Sequence, residues 1–159
     1  MTETTETFAL PRLNEAAPQF SANSTHGQIK LSDFKGKSVV IYFYPKDMTP
    51  GCTREACDFQ SDLTRFKKKS VVILGVSKDS PDRHRKFKEK YKLAFSLLSD
   101  EDGKMCEAFG VWQEKSLYGR KFMGIVRTTF IIGPDGKIRK VFSKVKVKDH
   151  VAEVLEELK

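Results

Sequence analysis

Between Tyr44 and Cys57 the chain reads YPKDMTPGCTREAC, two cysteines separated by four residues behind a proline-flanked turn. An apolar, β-branched and aromatic run, Val39–Tyr44, stops at Pro45, a short loop follows, and Pro50 stands where a helix begins. Cys52 therefore falls in the first helical turn. Unpaired N–H groups and the helix dipole place about half a positive charge beside a sulfur at that position, which favours thiolate over thiol. Thr49, one turn upstream, brings a hydroxyl able to donate to the sulfur or to a bound oxygen, while Pro45 and Pro50 stiffen the loop and shield the sulfur from bulk water. A thiolate so held can attack the O–O bond of a peroxide. The oxygen displaced gains negative charge as it leaves, so the site needs hydrogen-bond donors and a fixed cation there. Loop and helix amides supply donors; the cation must come from another part of the chain. The product at sulfur is a sulfenic acid, with which a second thiol condenses to a disulfide. Cys57 is the candidate for that second thiol.

Other residues weigh for or against rival chemistries. Cys106 lies next to Met105 and three residues before Phe109, on an apolar helix face, and reads as a packed, inert thiol. His26, His84 and His150 have no metal-ligand spacing with the cysteines, so no metal and no cofactor are expected. His84 shares a helical face with Phe87 and Tyr91 and is expected to be half-buried. A thioredoxin-like disulfide reductase or isomerase would use C-x-x-C, which the four intervening residues do not provide. A copper-binding chaperone on the same fold would need two cysteines and a histidine, and His150 is the one late histidine.

The elements that must position these groups follow from periodicity. Residues 1–17 read as an irregular N-terminal arm, Gln28–Leu31 as a short strand, and Lys35-Gly36-Lys37 as a turn. After Pro50, residues Cys52, Ala56, Phe59, Leu63 and Phe66 recur on one face of a helix. Val71–Val76 is a second buried strand, making a βαβ unit with a parallel pair. Ser80-Pro81-Asp82 starts a helix that runs to about Tyr91. Phe95–Leu98 reads as a strand and Asp102–Phe109 as a short helix ended by Gly110. Thr128–Ile132 and Lys137–Phe142 flank Gly133-Pro134-Asp135-Gly136 as a hairpin, and Asp149 caps a last helix with Val151, Val154, Leu155 and Leu158 on one face. Strands alternating with helices, then a hairpin and a helix, make one α/β domain over residues 1–159, a central mixed β-sheet flanked by helices.

The bulk properties agree with one soluble domain. The 159 residues suffice for a real core, and the longest apolar run is far too short to span a bilayer. The opening MTETTETF lacks the features of a secretory or organelle signal, so a cytoplasmic location without membrane attachment is expected. Three cysteines are too few for a disulfide-stapled scaffold. The net charge of +8 is spread over the triplet at 67–69, Arg83–Lys92 and Lys137–Lys148, on several elements, which reads as a solvated surface and not as a nucleic-acid interface.

The chain resembles the peroxiredoxins, most closely their bacterioferritin-comigratory, or Q-type, branch. The signature PxxxTxxC is present as Pro45, Thr49 and Cys52, and its extended form runs from Phe43 to Cys57. Ala17-Pro18-Gln19-Phe20, Gly75-Val76-Ser77 and the segment Gly124–Phe130 (GIVRTTF) match further family segments in order, so the likeness covers nearly the whole chain. The resemblance implies a thioredoxin-like fold and a thiol peroxidase acting on hydrogen peroxide and organic hydroperoxides. It implies Cys52 as the peroxidatic cysteine, Cys57 as the resolving one, Thr49 as the residue orienting the peroxide, and Arg127 as the missing cation. Glu55 matches an acid that holds the arginine network. Some members carry the resolving cysteine in the next helix instead, but Pro81–Tyr91 contains none. Recycling by thioredoxin or a glutaredoxin-like dithiol donor, and a monomeric state, are implied as well.

Overall fold

The computed structural model describes residues 10–159. From the chain start, β1 (Ser21–Ser24) and β2 (Gly27–Lys30) form an antiparallel pair, followed by one 3₁₀ turn, Leu31–Phe34. Next come β3 (Ser38–Phe43), α1 (Pro50–Ser61), α2 (Leu63–Lys68), β4 (Val71–Ser77), α3 (Pro81–Tyr91) and β5 (Ser96–Ser99). After these follow α4 (Lys104–Ala108), the strands β6 (Trp112–Leu117), β7 (Arg120–Ile125), β8 (Thr128–Ile132) and β9 (Ile138–Phe142), and finally α5 (His150–Glu157). Seven strands make one sheet in the order β2-β1-β5-β4-β3-β8-β9; β6 and β7 pair only with each other. β3 runs parallel to β4, β4 parallel to β5, and the remaining pairs are antiparallel, so the sheet is mixed as expected.

β3 is central, and its side chains show why it reads as apolar throughout. Val39, Ile41 and Phe43 enter one core with Phe109, Phe130 and Ile138, while Val40, Tyr42 and the following Tyr44 enter another with Phe59, Phe66, Phe87 and Val154. A strand covered on both faces has no polar side to alternate with. The second core holds the helix face that carries Cys52, Ala56 and Phe59. In this way the helix bearing the candidate nucleophile is docked onto the middle of the sheet.

Several expectations are corrected in detail. The helix after Pro50 is two helices, interrupted at Asp62, whose N–H reaches the carbonyls of Asp58 and Gln60. Leu63 and Phe66 nevertheless stay on the buried face, which is why the break does not show in the periodicity. Asp149 sits at the start of α5 but in a left-handed conformation, with no side-chain capping bond. Leu31 belongs to the 3₁₀ turn and not to β2, and α4 starts at Lys104. Of the arm expected over 1–17, residues 1–9 lie outside the described residues; Ala16 bridges to Lys137 at the far edge of the sheet. The strands β1, β6 and β7 were not expected. Ser80 does cap α3, accepting from the Arg83 N–H. Among the described residues no helix is long and apolar enough to cross a membrane.

Candidate active site

Cys52 is the third residue of α1, behind Thr49 at the cap and Pro50 at the first helical position. Thr53 is the first residue whose N–H finds a carbonyl one turn back, that of Thr49 at 2.8 Å. The amides of Gly51 and Cys52 precede it and have no helical acceptor in register. The sulfur is buried, with 1% of its residue surface exposed. A guanidinium meets it there: Arg127 Nη2 lies 3.4 Å from Cys52 Sγ, and Arg127 Nη1 donates to Glu55 Oε1 at 2.6 Å. The structure thus brings together Cys52, Glu55 and Arg127, the last from a point 75 residues further along.

Strand register explains that meeting. Phe43 pairs with Thr128, so Arg127 enters beside the point where β3 ends and the cysteine loop departs. Its backbone is fixed from the other side, the Val145 N–H donating to the Arg127 carbonyl at 3.0 Å. A β-carbon on Gly51 would stand 3.4 Å from Arg127 Nη2, an ordinary contact, so the guanidinium lies directly beside the helix start. Lys115, on β6, donates to the Ile125 carbonyl at 2.9 Å; burial and the nearby Arg127 charge push its ammonium down from the usual lysine range. No sequence motif marked Lys115, since it joins the neighbourhood only through the hairpin.

Glu55 is fully buried. Burial raises its carboxyl to about 7, against the opposing pull of Arg127. One oxygen is paired with the guanidinium, and the other, Oε2, has no hydrogen-bond partner among the described residues. Burial is costly for a carboxylate with a bare oxygen and much less so for a neutral acid.

Thr49 is placed differently from expectation: its hydroxyl donates to the Lys46 carbonyl at 2.8 Å, across the turn, and not to the sulfur. With its proton so engaged, Thr49 Oγ1 offers lone pairs, the role of an acceptor toward an incoming O–H. Cys57 is partly buried and makes no disulfide. Burial, with the Asp58 carboxylate adding to it, pushes its thiol up from the ordinary value.

The remaining candidates stand apart. Cys106 is fully buried in the other core, and burial, with Asp100 adding to it, pushes its thiol far up. Asp100 receives the Met105 and Cys106 amides, which anchors the start of α4. His150 Nε2 and Thr129 Oγ1 are hydrogen-bonded at 2.8 Å, so this histidine is already engaged and does not face the cysteines as a copper ligand would. Among the described residues, no cluster of metal-ligating side chains includes a cysteine; one cluster combines Asp47, Asp79 and His84. His84 is fully buried, not half-buried, because Asp47 meets it inside the fold at 2.6 Å.

Residues 13–141 match the model of the AhpC/TSA family. Peroxiredoxin Bcp of Bacillus subtilis (strain 168) is 53% identical over 148 residues, covering 92% of this chain and 94% of that protein. Peroxiredoxin Bcp of Escherichia coli (strain K12) is 47% identical over 149 residues, covering 93% and 96%. A solved structure of Xanthomonas campestris Peroxiredoxin Q superposes with a TM-score of 0.86 at 43% identity, covering 94% of this chain and 96% of that one.

Proposed function

The chain belongs to the AhpC/TSA family and is a thiol-dependent peroxidase of the Bcp, or Q-type, peroxiredoxin branch; from that premise we propose that Cys52 is the sulfur that meets the peroxide. The observation that carries this is the Arg127 guanidinium directed at Cys52 Sγ from 3.4 Å. Its positive charge and the amides at the start of α1 lie where charge develops on the leaving oxygen.

The Cys52 thiolate lone pair attacks one peroxide oxygen, a sulfur–oxygen bond forms and the O–O bond breaks. Sulfur is oxidised by two electrons to the sulfenic acid. The other oxygen leaves as alkoxide or hydroxide, takes a proton and departs as alcohol or water. Thr49 Oγ1 accepts from the peroxide O–H and turns its far oxygen toward the sulfur. Pro45 and Pro50 bound the loop, and Glu55 holds Arg127 by its Nη1. The Cys57 thiol then gives up its proton as its sulfur attacks the sulfenic sulfur: the S–S bond forms, the S–O bond breaks, and the oxygen leaves with that proton as water. A small dithiol protein, thioredoxin or a glutaredoxin-like donor, reduces that disulfide by two successive exchanges. This reading is of a single-domain monomer working in a reducing cytoplasm, where a close cysteine pair stays reduced between turnovers.

Intact mass and peptide mapping after one equivalent of hydrogen peroxide test the scheme. The wild type should yield a Cys52–Cys57 disulfide. Cys57→Ser should consume about one equivalent and stop at a sulfenic or higher acid on Cys52. Near-wild-type turnover by Cys52→Ser would remove Cys52 from the reaction.

A further inference from the structure

Asp47 is a loop residue with 1% of its surface exposed, and each of its polar groups is engaged. Tyr44 Oη donates to Asp47 Oδ1 at 2.5 Å, and Asp47 Oδ2 lies 2.6 Å from His84 Nδ1. The Asp47 N–H donates to Asp79 Oδ2 at 2.8 Å, and Arg83 Nη2 donates to the Asp47 carbonyl at 3.3 Å. Asp79 is itself fixed by the Ser77 hydroxyl and by Arg83 Nε. The Tyr44 phenol, pushed well up by burial and by the Asp47 charge, stays protonated and remains a donor. His84 is also fully occupied. Its Nε2 lies 2.9 Å from the Leu98 carbonyl, an obligate acceptor, so Nε2 carries a proton. The other ring nitrogen, Nδ1, is the one that faces the Asp47 carboxylate.

This network ties one point of the loop to β4, α3 and β5 at once, and that point lies two residues before Thr49. Met48, in between, has φ +71° and is partly exposed, a left-handed conformation that a methionine adopts only when its surroundings impose it. The bonds to Asp47 anchor the chain just before Met48, and just after it the Thr49 hydroxyl closes the turn onto the Lys46 carbonyl. Asp47, Asp79 and His84 are near enough to hold a cation, but their ligand atoms are already engaged: the Asp47 carboxylate with Tyr44 and His84, and the Asp79 carboxylate with Ser77, Arg83 and the Asp47 N–H. The cluster is built to fix backbone.

We propose that Asp47, locked to His84, is a positioning residue for peroxide: it imposes the left-handed turn at Met48 and so sets Thr49 Oγ1 against the reacting sulfur. The proposal rests on the assignment of Cys52 as that sulfur. It does not involve the thiolate itself, whose charge partners are Arg127 and the α1 amides. Loosening the loop should therefore affect a reagent that must be oriented and spare one that need only find a thiolate. A misplacement on the order of 1 Å costs up to about a hundredfold in rate for an oriented reaction.

The test compares two second-order rates at Cys52 in the reduced full-length protein: oxidation by hydrogen peroxide in a single turnover, and alkylation by iodoacetamide. Asp47→Asn keeps size and shape but turns one acceptor into a donor. His84→Gln and Tyr44→Phe each remove one side of the lock, and circular dichroism selects the variants that fold. Asp47→Asn or His84→Gln should lower the peroxide rate at least about tenfold, Tyr44→Phe less, with alkylation staying within about twofold. Equal loss in both rates, or no loss of the peroxide rate in any folded variant, overturns the inference. Failure of the underlying assignment is distinguishable, because the wild type would then show no peroxide oxidation at Cys52.

Discussion

Glu55→Gln removes an ionisation while keeping the side chain's shape and a neutral acceptor for Arg127. In the folded protein burial raises the Glu55 carboxyl from 4.5 to about 7, despite the guanidinium beside it. The folded state therefore holds a proton that the unfolded chain has already released. Its contribution to stability is fully present below pH 4.5 and is lost as pH rises through about 7. The gap of about 2.5 pH units (7 minus 4.5), at about 1.36 kcal/mol each, has a limit of roughly 3 kcal/mol. Between pH 5 and pH 8 the same relation gives roughly 2–3 kcal/mol. His150, whose imidazolium is disfavoured by burial, acts in the opposite direction on the acid side, but it does so equally in both proteins. The stability difference between wild type and Glu55→Gln isolates the carboxyl. Urea unfolding of the reduced proteins, followed by the fluorescence of Trp112, measures it. The wild type should gain roughly 2–3 kcal/mol relative to the variant on going from pH 8 to pH 5. A difference constant to within about 0.5 kcal/mol across that range would show that the buried carboxyl titrates as an ordinary one, and the reasoning from its bare Oε2 would fail.

Arg127→Ala should slow the peroxide reaction by on the order of a hundredfold or more, and Arg127→Lys should recover only part of it, since the charge remains but the planar fork of donors is lost; a rate within about threefold of wild type in Arg127→Ala, by stopped-flow fluorescence, would take Arg127 out of the site. Cys106→Ala should leave thioredoxin-coupled turnover unchanged, and a mapped Cys52–Cys106 disulfide as the main oxidised product would refute that. Residues five apart in a regular helix have α-carbons roughly 8–9 Å apart, beyond the limit of about 7 Å for a disulfide. The oxidised protein should therefore lose amide-exchange protection over residues 51–58 while α2 keeps its own, and unchanged protection through Cys57 would contradict the scheme.

The parts of this fold that were readable in the sequence are those where burial leaves a pattern. β3 and β4 are apolar on both faces, and α3 carries a serine cap, a proline and an acid in sequence. The β6–β7 hairpin left no such pattern. Glu114, Ser116, Leu117, Lys121, Phe122 and Met123 are all exposed, so no face alternates, and its turn at Tyr118-Gly119 has positive φ at both residues without the usual asparagine or aspartate. Cys52, Thr49 and Pro45 are legible because they share one short segment. Arg127 became legible only through the family segment around it, since nothing local distinguishes it from other strand-edge arginines. The face His84 shares with Phe87 and Tyr91 made half-burial readable; its full burial was not, because that depends on Asp47, 37 residues earlier, reaching it inside the core.

The pairing of β3 with β8 also bears on when reactivity can appear during synthesis. The loop, the α1 amides and the sulfur are encoded before residue 60, whereas the guanidinium is encoded at 127 and is seated only after Thr128 has paired with Phe43. A nascent chain that has emerged through β4 carries a cysteine at a helix start with the α1 amides beside it, but no guanidinium to share the charge of a leaving oxygen. On the ribosome such a thiol would behave much like any other, sheltered from peroxide by the incompleteness of its own surroundings. Fast reaction at this sulfur would then serve as a timestamp for closure of the sheet, a folding clock that can be read with a pulse of dilute oxidant.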